Sequence, residues 1–320
     1  MAQFQIYNYQ FGKIESQENP VDLFGNKQVL ISAKESFPMR QDILQKLMDM
    51  DYDGGEDQKI KFTHQKSSAK EYTHKHLMKP MDGIVVMRIA NKKNQKIINK
   101  DLEEVKEDNY TNCLVIIDNR PGIQRMAIEV KKSVFPSDTT LCNIIKHTLN
   151  KILGRYSLYI DLMHIQDPKD FWTFINDKKS YPMGFYKLKF HLPYLNLERL
   201  QKKFHKLSHK IRESYNGKLD WEVTAEVGGE LNISQQDKFQ VAQINYFMSD
   251  LGGNNLELVP NDNKKKSIKV GKNSYQHMFI SNTTFDKLKD DAAANTLFGS
   301  AALDAIKLKM KEFLAKTLLK

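Results

Sequence analysis

The sequence predicts an α+β fold, and three features carry that prediction. The run CLVIIDNRPGIQRMAIEV reads as two apolar strands joined by a tight turn. The segment after it spaces its apolar residues with the helical period, and Asn196 to Tyr215 puts apolar and cationic residues on different faces of one helix. Residues 1–192 are expected to form an antiparallel-rich sheet domain. Residues 193–320 are expected to form a mixed, helix-rich domain carrying the basic helix and a C-terminal helix.

Taken in order, Phe4 to Phe11 reads as a strand, a polar loop follows, and Pro38 to Met50 reads as a short helix. The stretch DYDGGEDQKIKFTHQKSSAKEYTHKHLMKP is polar and contains Gly54-Gly55, so it is expected to be exposed and is given no chemistry. Gly83 to Ala90 is β-branched and apolar, the composition of a buried strand, with a Lys/Asn-rich turn after it. In the hairpin, Arg120-Pro121-Gly122-Ile123 fits a type II turn: Pro presets the second position and Gly supplies the positive φ of the third. A two-residue Pro-Gly loop then pairs Ile117 with Met126, Val115 with Ile128 and Cys113 with Val130. Ser137 or Asp138 caps a helix whose apolar stripe runs from Leu141 to Leu153, and Gly154 ends it.

A strand is expected over Ser157 to Ile165, a helix opened by Asp167-Pro168, and a strand over Gly184 to Leu192. Beyond the basic helix come a strand from Leu219 to Val227, a helix from Gln235 to Leu251 and two short strands flanking Asn261 to Lys266. Two helices close the sequence. The last, Ser300 to Leu319, spaces Leu303, Ile306, Met310, Phe313 and Thr317 like a coiled-coil seam and is expected to make a dimer contact.

Composition narrows the function classes. Forty per cent hydrophobic and 28% charged residues are ordinary for a globular protein, and no apolar run approaches the roughly 20 residues of a membrane span. The N-terminal sequence lacks the pattern of a signal peptide, so a cytoplasmic protein is expected. With only two cysteines, Cys113 and Cys142, neither a disulfide framework nor a thiolate zinc site is expected.

Net charge is +10, and it is concentrated: residues 185–216 hold eight Lys/Arg against two Glu. Arg199, Lys202, Lys203, Lys206 and Lys210 fall within an arc of about 100° on a helical wheel, away from the seam of Leu197, Leu200, Phe204, Leu207 and Ile211. Lys187, Lys189 and His191 share one face of the preceding strand, and a second basic run contains Lys264, Lys265 and Lys266. Cations at repeated spacing suit phosphate contact, which carries no base sequence, so a weakly specific duplex-DNA binder is expected. The same residues could instead solvate an ordinary surface helix or dock an acidic partner protein.

Asp118 with Glu129-Val130-Lys131 matches the D…(D/E)xK pattern in which two carboxylates share a divalent ion beside a lysine, which leaves a metal-dependent nuclease as the enzymatic alternative. The hairpin register opposes it: Asp118 faces Arg125 and Glu129 lies opposite Leu114, roughly 13 Å along at 3.3 Å per residue. His74-Lys75-His76 and the other histidines show no ligand spacing supported by a nearby Cys or acid, so no metal and no cofactor are expected.

The order of parts in LVIIDNRPGIQRMAIEV followed by KSVFPSDTTLCNIIKHTLNKIL, and then a basic C-terminal half, resembles the RexA phage-exclusion family and other prokaryotic antiphage accessory proteins. The likeness is one of layout over about residues 80–192 and transfers no functional residue. It implies a dimeric, sequence-tolerant DNA-binding sensor that works with a separate effector.

Overall fold

A long strand with little solvent on either face begins the chain: β1, Ala2–Lys13, buries Phe4, Ile6, Tyr7, Tyr9 and Phe11. The computed structural model describes residues 1–14, 32–65, 67–98, 100, 104–192, 219–251, 256–262, 265–271, 275–294 and 300–311. The expected α+β class holds, with antiparallel sheet and packed helices.

The described residues divide into two units. The larger comprises residues 1–5, 11–162 and 277–310, and the smaller 6–10, 163–276 and 311–320. The boundary expected at 192/193 is therefore corrected. Phe185–Leu192 (β8) pairs with Leu219–Thr224 (β9) and Leu256–Pro260 (β10), and so joins the later residues. His277–Ile280 (β12) pairs with β1 and returns the C-terminal helices to the first sheet.

That first sheet runs β12-β1-β6-β5-β4-β3-β2, with Leu158–His164 (β7) also on β1. Its remaining strands are β2 (Phe62–His64), β3 (Ser67–His76), β4 (Ile84–Ile98), β5 (Glu104–Asp118) and β6 (Arg125–Glu129). The hairpin forms in the expected register: Ile117 faces Met126, Val115 faces Ile128 and Asp118 faces Arg125. Ile123 N–H donates to the Arg120 carbonyl at 3.0 Å, and Gly122 takes φ 74°, a conformation that costs glycine nothing.

The expected turn after Ala90 is instead strand. β4 and β5 stay paired rung by rung from Ile84–Asp118 out to Ile98–Glu104. Beyond the rungs shared with β3 and β6, the described ribbon keeps its own ladder, with Lys92 to Asp108 at 2.7 Å and Lys96 to Glu104 at 2.6 Å across the strands, while Asn91 Nδ2 donates to the Val134 carbonyl at 2.8 Å and Lys93 Nζ to the Ser133 carbonyl. Such a ribbon wets both faces, so it lacks the two-residue apolar alternation that betrays a strand.

The helix Asp138–Leu153 buries Leu141, Ile144, Ile145, Leu149 and Leu153, and Thr148 Oγ1 accepts from the Thr63 N–H of β2 at 3.0 Å. Gly154 does not end it in a left-handed turn. A 3-10 turn continues from Gly154 to Tyr156, and Ser157 takes the left-handed conformation at φ 52°. In the helix Ala301–Lys311, Leu303, Ile306 and Met310 are already buried within the chain, so this stripe is not an open dimer seam; Phe313 and Thr317 lie outside the described residues.

The smaller unit is built on a sheet of order β11-β10-β8-β9, where β11 is Ile268–Lys269. One face packs Leu188, Phe190, Leu256 and Leu258 against Phe171 and Trp172 of the Pro168–Asn176 helix, and against Ile244, Phe247 and Met248. Asp167 caps that helix as expected, its carboxylate accepting from the Lys169 N–H at 3.0 Å. No helix among the described residues is long and apolar enough to cross a membrane.

Candidate functional site

Strand alternation places Lys187, Lys189 and His191 of β8 on one face, as expected, but acids from the neighbouring strands occupy that face too. Register sets Lys189 between Glu222 of β9 and Glu257 of β10, and Lys269 of β11 opposite Glu257. Lys187 Nζ lies 3.1 Å from Glu222 Oε1, Lys189 Nζ 4.0 Å from Glu257 Oε1, and His191 Nε2 3.3 Å from Glu257 Oε2. Ser267 donates to Glu257, and with His191 and Lys189 beside it the carboxyl is held below its usual range. This face is zwitterionic: Lys187 and Lys189, expected as phosphate contacts, have sheet carboxylates as neighbours.

Of the second basic run, Lys265 and Lys266 are exposed, and Lys265 Nζ sits 4.6 Å over the Tyr181 ring. Lys264 lies outside the described residues, as do Arg199, Lys202, Lys203, Lys206 and Lys210.

The carboxylates of the nuclease pattern are occupied by structural partners. Asp118 is fully buried and accepts from Arg120 through Nε at 2.9 Å, Nη2 at 2.6 Å and the backbone N–H at 3.2 Å. Glu129 stands opposite Leu114, as the register requires. Its Oε2 accepts the Leu114 N–H at 2.9 Å where the ladder to β6 ends, and Oε1 pairs with Lys131 at 2.9 Å. The two acids finish different parts of one hairpin and do not converge on a common centre. Beside Glu129, burial first and the carboxylate second push the Cys113 thiol up to about 12. Native Cys113 should therefore react with iodoacetamide at pH 8 about a thousandfold more slowly than an unfolded-chain thiol, and urea should restore the rate. Alkylation at the same rate in both states would contradict that placement.

A second group of side chains comes together in the stretch expected to be exposed. Asp51, in the last turn of the helix Arg40–Asp53, is fully buried, and His74 and His76 project from one face of β3 against it. His74 Nε2 lies 2.7 Å and His76 Nε2 2.6 Å from the same oxygen, Asp51 Oδ2. The other oxygen, Oδ1, accepts the Ile60 N–H at 2.6 Å. Burial by itself raises the Asp51 carboxyl, but the hydrogen bonds from His74, His76 and Ile60 overcome it and hold the group well below the usual carboxylate range. Phe62 meets the His74 ring edge-on at 5.0 Å and Tyr52 the His76 ring at 5.7 Å.

One candidate ligand atom from each of Asp51, His74 and His76 lies within 4.8 Å of the others, the arrangement of a metal-binding group. The expectation that no acid stands near these histidines is corrected: the acid comes from a helix 23 and 25 residues earlier. The signal in the sequence was His-x-His at strand spacing, followed by the apolar strand that fixes it. No protein-family model matches the sequence, and no curated protein matches it.

Proposed function

We propose that the chain is a non-enzymatic nucleic-acid-binding protein that prefers duplex DNA and recognises little base sequence. The observation that carries the reading is the concentration of charge in residues 196–215. Glu198 lies four residues before Lys202 and Glu213 three after Lys210, so helical spacing offers these two lysines an acid. Arg199, Lys203 and Lys206 have none at that spacing, and a phosphate backbone supplies the missing anions. Exposed Lys265 and Lys266 are flanking contacts in this reading, whereas Lys187 and Lys189 serve the sheet. The layout likeness supplies the setting: a dimeric sensor of an antiphage system acting with a separate effector.

The test is duplex binding across a salt series. Five phosphate contacts give a log-log slope of about −4.5 for B-form DNA. A slope near zero would reject phosphate contact as the mechanism. Lysine-dependent docking of an acidic protein that DNA cannot displace would favour the scaffold reading instead. Magnesium-dependent cutting that disappears in Glu129→Gln would restore the nuclease.

A further inference from the structure

We infer that Asp51, His74 and His76 form a three-ligand site for a divalent first-row transition ion of the zinc type, and that the ion ties the Arg40–Asp53 helix to β3. The inference is independent of nucleic-acid binding.

The scaffold points the ligands inward. Antiparallel pairing of β3 with β4, His74 opposite Ile89 and His76 opposite Met87, fixes both histidine positions on a rigid ladder. The Ile60 N–H holds Oδ1 of Asp51, so the carboxylate presents Oδ2 to both imidazoles. An outer hydrogen bond of this kind is how metal-ligating carboxylates are oriented.

Donor chemistry selects the ion. Two imidazole nitrogens and one carboxylate oxygen suit zinc and its neighbours in the first transition row; calcium asks for six to eight oxygen ligands and magnesium keeps most of its water. Side-chain exposures of 0% for Asp51, 7% for His74 and 4% for His76, with Phe62 and Tyr52 against the rings, leave the remaining position suited to water and closed to a bulky substrate. The ion is structural.

Binding requires a modest adjustment. In the metal-free arrangement an ionised carboxylate only accepts, so each Nε2 carries the proton it donates to Oδ2. An ion needs a lone pair on each Nε2, so on binding each neutral imidazole carries its proton on Nδ1 instead. Bonds of 2.0–2.1 Å at tetrahedral angles separate ligand atoms by about 3.3 Å, roughly 0.6 Å more than the 2.6–2.7 Å found here. His76 Nδ1 is buried with no hydrogen-bond partner, so its N–H would lack the acceptor that usually completes the outer shell. The site is consequently weaker than a fully supported one.

Cobalt(II) is the probe. The tag-free full chain, stripped with chelator and titrated with Co²⁺, is expected to bind one equivalent and to develop the intense visible bands of low-coordinate cobalt, which Zn²⁺ abolishes by displacement. His74→Gln and His76→Gln should each weaken binding by at least about 100-fold, while His64→Gln on the adjacent strand should leave it unchanged. Zinc K-edge absorption of the wild-type chain adds a readout that needs no variant: two imidazole shells support the site. A folded chain that gives only the pale spectrum of hexaaqua cobalt, a zinc shell of oxygen alone, or affinity indifferent to both substitutions would overturn it.

Discussion

Asp118→Ala is expected to destabilise the larger unit by about 3–5 kcal/mol, the range for removing one member of a buried charge cluster. Asp118 is fully buried, chelated by Arg120 and set opposite Arg125, itself fully buried and among the largest enclosed side chains of the chain. Both guanidiniums also reach the helix Ala301–Lys311: Arg120 Nη2 donates to the Lys307 carbonyl at 3.1 Å and Arg125 Nη1 to the Met310 carbonyl at 3.0 Å. Without the carboxylate, two cations remain side by side against that helix, and one of them, Arg125, is fully buried. Urea unfolding of the larger unit measures the loss, and hydrogen exchange should show the 301–311 amides opening first. Asp118→Asn, which keeps the volume, should retain most of the destabilisation, because charge rather than a cavity is the cause. Arg120→Ala should cost less than half as much, since its side chain is 18% exposed and Arg125 still faces the acid. An effect of Asp118→Ala below about 1 kcal/mol would mean that the charges are not coupled as the geometry implies.

That cluster also marks what local patterning can reveal. The hairpin register was legible because a turn centred on Pro121-Gly122 sets the same pairing even though the ladder ends at Asp118–Arg125 and residues 119–124 form the connection, and the side on which Asp118, Arg125 and Glu129 fall follows from counting. The Leu141 to Leu153 stripe and the Asp167 cap were legible for the same reason: their determinants lie within a few residues of one another. The outer ribbon was not, because its described side chains, Lys92, Lys93, Lys96, Glu104 and Lys106 through Tyr110, are exposed on both faces and leave no apolar alternation. The zwitterionic sheet face was hidden in another way. Counting charge along residues 185–216 cannot see Glu222 or Glu257, which reach Lys187 and Lys189 only once strands distant in sequence pair. Asp51 escaped for that reason also: a helix residue meets His74 and His76 across a turn and two strands, and no local spacing encodes the meeting.

Those hidden pairings yield a contrast between lysines that look alike in the sequence. Reversing Arg199, Lys203 and Lys206 together to glutamate is expected to lower affinity for a short duplex by about 500-fold at 0.1 M salt. Each phosphate contact contributes roughly 0.9 log unit there through counterion release, and three are lost. The slope of the salt series should flatten from about −4.5 to about −1.8. Lys187→Gln with Lys189→Gln removes two positive charges from the same stretch of sequence yet should change affinity less than about twofold, because those ammonium groups already face Glu222 and Glu257. The comparison separates local contact from overall charge: a diffuse attraction to the net +10 would respond to both sets in proportion to the charge removed. Equal losses per charge in the two variants would therefore refute the placement of the contact on residues 196–215. An unchanged affinity in the triple reversal would refute nucleic-acid binding through that segment altogether.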